Sequence, residues 1–224
     1  LKTSLLFGAF WAGFFPIRAS NDPWWHLKTG EDLWQYFLDH GFAFPPYDVF
    51  TYTGETTPWV NHEWLGELVI YASYALGGFV GAVFFKSLVL MTTFGLLMYY
   101  MYRNGVSWKM ACVGTLIALL ASQIHLYLRP FIFTYLFILI FLHLILNLQS
   151  GEHVKRSVAG LILGEVLWIN LHGGGLLGIV LVGFWWASDV WLCFVNWLKE
   201  TPTSPSFMRL RLSTLVLAGV VVAS

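Results

Sequence analysis

Charge is what this chain has least of. Only 11% of its 224 residues are Asp, Glu, Lys or Arg, against 58% hydrophobic, and the mean hydropathy is +0.68. That composition excludes an ordinary soluble domain and describes a protein with several membrane spans. The formal net charge is zero, so global charge gives no ground for a nucleic-acid or acidic partner. Cysteine is nearly absent. Cys112 and Cys193 both lie in apolar segments, where small core residues are expected rather than a disulfide or a metal site. Internal repeats, low-complexity tracts and a second soluble domain are missing. The metalloprotease pattern HExxH fails, because the fourth position after His62 is Gly66.

What is present is a series of apolar stretches. A span takes about 20 apolar residues. The stretches 3–17, 79–102, 108–124, 130–149, 156–170, 174–198 and 210–224 read as helices of this kind. The expected fold is all-α and integral to the membrane, with about seven transmembrane helices in a single domain over 1–224. Leu1 is not an initiator Met, and both ends fall in apolar stretches, so the sequence reads as the N-terminal part of a longer protein. The first stretch carries no small-residue cleavage signal.

Lys and Arg placement sets the expected orientation. One set of helix ends carries Lys2, Arg103, Lys109, Lys155, Arg156, Lys199, Arg209 and Arg211; the other carries only Arg18, Lys28 and Arg129. The first set is therefore cytoplasmic, as is the N-terminus. The long loop 18–78 is external and holds eight of the twelve acids. Within it, Asp22-Pro23 is a good helix start, a capping acid followed by Pro at the first helical position. Trp24, Trp25, Leu27, Leu33, Trp34, Phe37 and Leu38 give that helix an apolar face, and Gly41 can close it. It reads as an amphipathic helix in the membrane interface. A second, over 62–76, leads to Gly77-Gly78 and the next span.

Polar groups near hydrocarbon are costly and tend to be functional. Four clusters carry them: Asn21-Asp22-Pro23-Trp24-Trp25-His26, Asn61-His62-Glu63-Trp64, His125-Leu126-Tyr127-Leu128-Arg129-Pro130 and Asn170-Leu171-His172-Gly173-Gly174. In the expected orientation all four face one compartment. Asp22 is either a plain N-cap or a base or metal ligand, and the roles are compatible. His26, four residues on, shares a face with Asp22. The pair orients an imidazole or joins a metal site, or else His26 simply bonds to backbone. Glu63 opens a helix, where the dipole alone favours an acid; the functional alternative is a carboxylate facing Asp22 across a cleft. His62 lies about 100° from Glu63 around a helix, so the two are poorly placed to ligate one ion.

Arg129 begins a span. It either snorkels outward or holds a phosphate or carboxylate. Asn170 and His172 end a span before Gly173-Gly174-Gly175, which serves a tight turn or a close backbone approach. Glu165, Asp189 and Lys86 fall within spans, where charges pair, face the interior or snorkel. His143 reads as a satisfied buried histidine. The twelve Trp are mostly accounted for by interface belts.

The runs Asp22-Pro23-Trp24-Trp25-His26-Leu27, Asp48-Val49-Phe50-Thr51-Tyr52-Thr53 and Trp59-Val60-Asn61-His62-Glu63-Trp64-Leu65 are followed by Arg129-Pro130 and Trp168-Ile169-Asn170-Leu171-His172-Gly173-Gly174. In this order they resemble bacterial multi-span proteins of the C-type (GT-C) glycosyltransferase superfamily, over essentially the whole chain. The resemblance implies a first external loop with an essential acid and two short helices. It implies a polyprenyl-phosphate-linked sugar donor, inversion at the anomeric centre and, in some members, a divalent ion such as Mg or Mn. Asp22 matches the loop acid, as base or as the metal's ligand. Glu63 and His62 would assist it, and His26, Arg129, His172 and Asn170 would bind substrate. Many relatives carry two acids where this chain has Asn21-Asp22. The implied location is the bacterial cytoplasmic membrane, with loop 18–78 periplasmic. The alternative is a non-catalytic accessory subunit, packed into a larger membrane complex through aromatics such as Phe184, Trp185, Trp186 and Trp191.

Overall fold

A backbone crossing hydrocarbon has no water to bond to and must pair with itself, so a chain this apolar folds into helices. The computed structural model describes residues 22–47, 50, 58, 60–122, 126–199 and 204–224. Among them are seven α-helices: α1 (Asp22–His40), α2 (Trp64–Arg103), α3 (Trp108–Ala121), α4 (Phe131–Ser150), α5 (Val154–Leu171), α6 (Leu176–Leu198) and α7 (Ser204–Ala223). A short 3-10 turn, Gly173–Gly175, precedes α6. No strand occurs among the described residues; Tyr47 and Pro58 form only an isolated bridge.

Three described helices are long and apolar enough to cross a membrane: α2, α4 and the stretch Gly173–Leu198 that contains α6. This is consistent with a membrane protein. Fewer helices meet that standard than the seven stretches the sequence suggests. The stretch 3–17 lies outside the described residues, as do Asn21, Trp59 and His125 among the residues singled out. Helix α3 has 14 residues, about 21 Å at 1.5 Å per residue, short of a hydrocarbon core of about 30 Å. Helix α5 has 18 residues and carries Lys155, Arg156 and Glu165. Helix α7 has 20 residues but carries Arg209 and Arg211.

The chain divides into two compact units. In the first, which runs to Phe133 and takes in Asn170–His172, α1 packs on the start of α2. Leu27, Ile70, Ala82 and Leu128 form a core there, with Tyr74 and Phe79 against it. Gly30 makes the approach possible: a Cβ on it would overlap the Glu67 carbonyl oxygen and lie 2.7 Å from Tyr71 Cβ. Gly66 does the same on the other side, where a Cβ would overlap the Leu171 carbonyl oxygen and lie 2.9 Å from Pro130 Cβ. The sequence predicts one helix over 62–76 and another from 79. The structure joins them in α2, with non-helical backbone at Gly77 and Gly78, the latter at φ +60°. Glycine alone takes that conformation without strain. Ser107 caps α3 by accepting from the Met110 N–H at 3.4 Å.

The second unit holds Thr134–Ile169 and Gly173–Ser224. Small residues let its helices close up. A Cβ on Gly164 would lie 3.1 Å from the Phe141 ring, and one on Gly219 2.8 Å from Ile162. Trp168 is fully buried, donates to Thr134 Oγ1 at 3.2 Å and stacks on Phe137. Trp186 on α6 donates to Thr214 on α7 at 3.1 Å.

Candidate functional site

The site begins with a turn that the sequence builds cheaply. Asn61 Oδ1 accepts the backbone N–H of Glu63 at 2.9 Å, the local bond that makes Asn a good residue before a helix. The same side chain uses its NH2 to donate to Glu67 Oε2 at 2.5 Å. Glu63 and Glu67 are four residues apart and share a face of the first turns of α2. Opposite them stands α1, whose Asp22-Pro23 start brings His26 one turn into the helix. Its Nδ1 lies 3.0 Å from Glu67 Oε1 and 4.0 Å from Glu63 Oε2.

Two further segments close the group. Arg129, just before α4, forms an ion pair with Asp22, both side chains being 41% exposed. His172, just past α5, places Nε2 3.2 Å from Glu63 Oε1. Its ring meets Phe131 edge to face at 5.3 Å. Together Asp22, Trp25, His26, Glu63, Arg129, Pro130, Phe131 and His172 line a cleft of about 480 Å³.

The electrostatics follow from burial. Desolvation pushes the Glu63 carboxyl above the usual carboxylate range and Glu67 adds to this, while His26 and His62 oppose it. Desolvation, aided by His62, His26 and Arg129, holds His172 down to about 4. At neutral pH His172 is therefore uncharged, and its contact with Glu63 is not an ion pair. The cleft thus offers a paired cation and carboxylate at Arg129 and Asp22, a neutral imidazole, and a second acid in a low-dielectric setting.

A different trio has the donors for a metal. The ligand atoms of His26, Glu63 and Glu67 all lie within 4.8 Å of one another. Two carboxylates and one imidazole suit a hard or borderline divalent ion such as Mg, Mn or Zn. Asp22, the acid that the sequence and the resemblance offer for a metal, is engaged by Arg129 instead.

Of the residues singled out from sequence, the cleft brings together Asp22, His26, Glu63, Arg129 and His172. Two stand apart from its lining. His62 is at the rim, 72% exposed, with Nε2 3.7 Å from Glu63 Oε1. Asn170 accepts the Trp64 indole N–H at 2.6 Å and so ties the end of α5 to the start of α2. Sequence reasoning misses Glu67, whose side chain is 4% exposed, and the part Asn61 plays in holding it. The signal was present: an acid one helical turn after Glu63, on the face that carries it. Compared with protein-family models, curated proteins and solved structures, the chain gives no match in any of the three.

Proposed function

We propose that the cleft is the active site of a GT-C-like membrane glycosyltransferase, using a polyprenyl-phosphate-linked sugar at the external membrane face. The observation that carries this reading is the meeting of Asp22, Arg129, Glu63 and His172 in one cleft at the start of α2, a helix long and apolar enough to cross a membrane. In this reading the chain has about seven spans in a bacterial cytoplasmic membrane, its N-terminus cytoplasmic and loop 18–78 external.

The chemistry needs a cation for the leaving phosphate and a base for the acceptor. Arg129 supplies the first, since a guanidinium pairs with phosphate oxygens in bidentate geometry. The incoming phosphate competes with Asp22 for Arg129 and frees the carboxylate. Asp22 then takes the proton of an acceptor hydroxyl. The acceptor oxygen bonds to the anomeric carbon as the bond from that carbon to the phosphate oxygen breaks. Attack from the face opposite the leaving group inverts the centre. The electron pair leaves with the lipid phosphate, whose charge Arg129 holds. His172, neutral, offers a hydrogen bond without adding charge. A divalent ion on His26, Glu63 and Glu67 would supply Lewis-acid stabilisation of the developing phosphate charge.

The test uses protein in lipid vesicles with a panel of polyprenyl-phosphate hexoses and pentoses. Wild type is expected to release the free lipid phosphate, and Asp22→Asn to lose at least about a hundredfold in rate with circular dichroism unchanged. An Asp22→Asn protein that transfers as fast as wild type sinks the assignment. A wild type inert toward the whole panel, yet recovered in stoichiometric complex with other chains by native mass spectrometry, favours the accessory-subunit reading.

A further inference from the structure

The second unit contains an acid with nothing to hold it. Glu165, on α5, is fully buried, and among the described residues neither carboxylate oxygen has a hydrogen-bond partner. Its space is provided by a glycine. A Cβ on Gly178 of α6 would overlap Glu165 Oε2 and lie 2.9 Å from the Phe141 ring. Any residue larger than glycine at 178 would evict the carboxyl group, so α6 is shaped around it.

Further polar atoms are buried on the same faces of the two helices as this acid and its glycine. The approaches of Gly175 to Ile169 and of Gly178 to Glu165 run α5 and α6 antiparallel. From Glu165 the buried face of α5 continues back through Leu161 to Ser157. From Gly178 the buried face of α6 continues through Val182 and Trp185 to Asp189. Steps of three and four residues keep each set on one side of its helix. Ser157 Oγ, Trp185 Nε1 and Asp189 Oδ2 are also buried without a hydrogen-bond partner. The other Asp189 oxygen lies 3.6 Å from Arg209, a residue whose side chain is 45% exposed. At 1.5 Å per residue the row is about 16 Å long, from Glu165 to the Asp189–Arg209 end.

Buried polar atoms in proteins are nearly all hydrogen-bonded. Such exceptions, with a half-exposed Arg209 at one end and a buried acid at the other, mark a route for a small polar species. An ionised carboxylate without a partner is strongly disfavoured in apolar surroundings. The groups facing Glu165 do not offset that. From α6 the acid looks along to Asp189, already met by Arg209 of α7. On α4 the Phe141 ring borders the same space at Gly178, while His143 on that helix is bonded to Asn147 at 3.1 Å.

We propose that Glu165 is a proton-binding site, carried as the carboxylic acid inside this helix unit and exchanging its proton with the Asp189–Arg209 end along the row lined by Ser157 and Trp185. This site is independent of the cleft in the first unit and of any reading of that cleft.

The probe is dicyclohexylcarbodiimide, an apolar reagent that reacts with the acid and not the carboxylate. The carboxyl oxygen bonds to the central carbon and the carboxyl proton moves to nitrogen. The O-acylisourea then rearranges to a stable N-acylurea, with no leaving group. With wild type in phosphatidylcholine vesicles, mass spectrometry is expected to find the adduct on Glu165. Its initial rate should fall at least about tenfold between about pH 6 and about pH 9, as an exchanging acid ionises. Glu165→Gln, which mimics the neutral acid, is expected to fold normally and to lose the adduct. Asp189→Asn is expected to slow the response of labelling to a pH jump by about tenfold or more. No adduct on Glu165 in folded wild type overturns the proposal, with or without a folded Glu165→Gln. An adduct that forms at the same rate at every pH also overturns it, because the acid then exchanges no proton with water over that range. An unchanged pH-jump response in Asp189→Asn overturns the route.

Discussion

At the scale of single residues, the cleft separates two tasks that one acid could have combined. Asp22 faces Arg129, while Glu67 faces His26 and Asn61. A carboxylate held by a guanidinium is a poor metal ligand, because the ion must displace a charged partner. One held by an imidazole and an amide has no fixed cation to displace, and such outer partners orient it. Manganese should therefore bind the second group. Calorimetry on purified protein should show Mn2+ affinity falling at least about tenfold in Glu67→Gln. Asp22→Asn should leave that affinity within about twofold. Affinity lost in Asp22→Asn but retained in Glu67→Gln would make Asp22 the ligand after all. From sequence, His26 stands out because it follows Asp22 by one turn. Glu67 does not, since an acid early in a helix is sufficiently explained by the dipole. Only the packing of α1 on α2 gives it a partner 41 residues away.

At the scale of elements, the site depends on how closely α1 and α2 approach, because each supplies part of it. The sequence announces both helices: Asp22-Pro23 opens α1, Gly41 at φ +71° closes it, and Gly77-Gly78 breaks α2. It does not announce the crossing at Gly30, since a lone glycine inside a helix is locally only a weakness. The close approach there is a property of two surfaces, invisible to any one-dimensional pattern. Gly30→Ala should push the helices apart, against a carbonyl oxygen and a Cβ that cannot swing away. Overpacking of this kind costs about 1–3 kcal/mol. The midpoint of thermal unfolding should drop, and Mn2+ binding should weaken as His26 leaves Glu67. Gly77→Ala is the control. Its Cβ would meet nothing within 4 Å and its φ of −150° is outside the left-handed region, so the midpoint should fall less than in Gly30→Ala. Equal effects at the two glycines would mean that α1 does not rest on α2 through Gly30.

At the scale of the whole molecule, composition and charge asymmetry carry most of what is legible. A chain with 58% hydrophobic residues is expected to be helical, and the described residues are. The number of crossings is less legible, because α5 and α7 mix apolar runs with basic residues near one end. Such helices cross when their ends reach the headgroups and lie at the surface when they do not. Orientation discriminates between these cases. If the basic ends are cytoplasmic, Gln35 on the exposed side of α1 lies outside, while Lys109 and Lys155, both exposed, lie inside. Single cysteines at these positions, in a chain with Cys112→Ser and Cys193→Ser, can be probed in intact cells with a membrane-impermeant maleimide. Gln35→Cys is expected to label at once, and Lys109→Cys and Lys155→Cys only after permeabilisation. Lys155→Cys labelling from outside, with Gln35→Cys, would move the start of α5 across the membrane. The end of α5 and its His172 would then no longer share a compartment with α1 through one crossing of α5, and the external site would lose its basis.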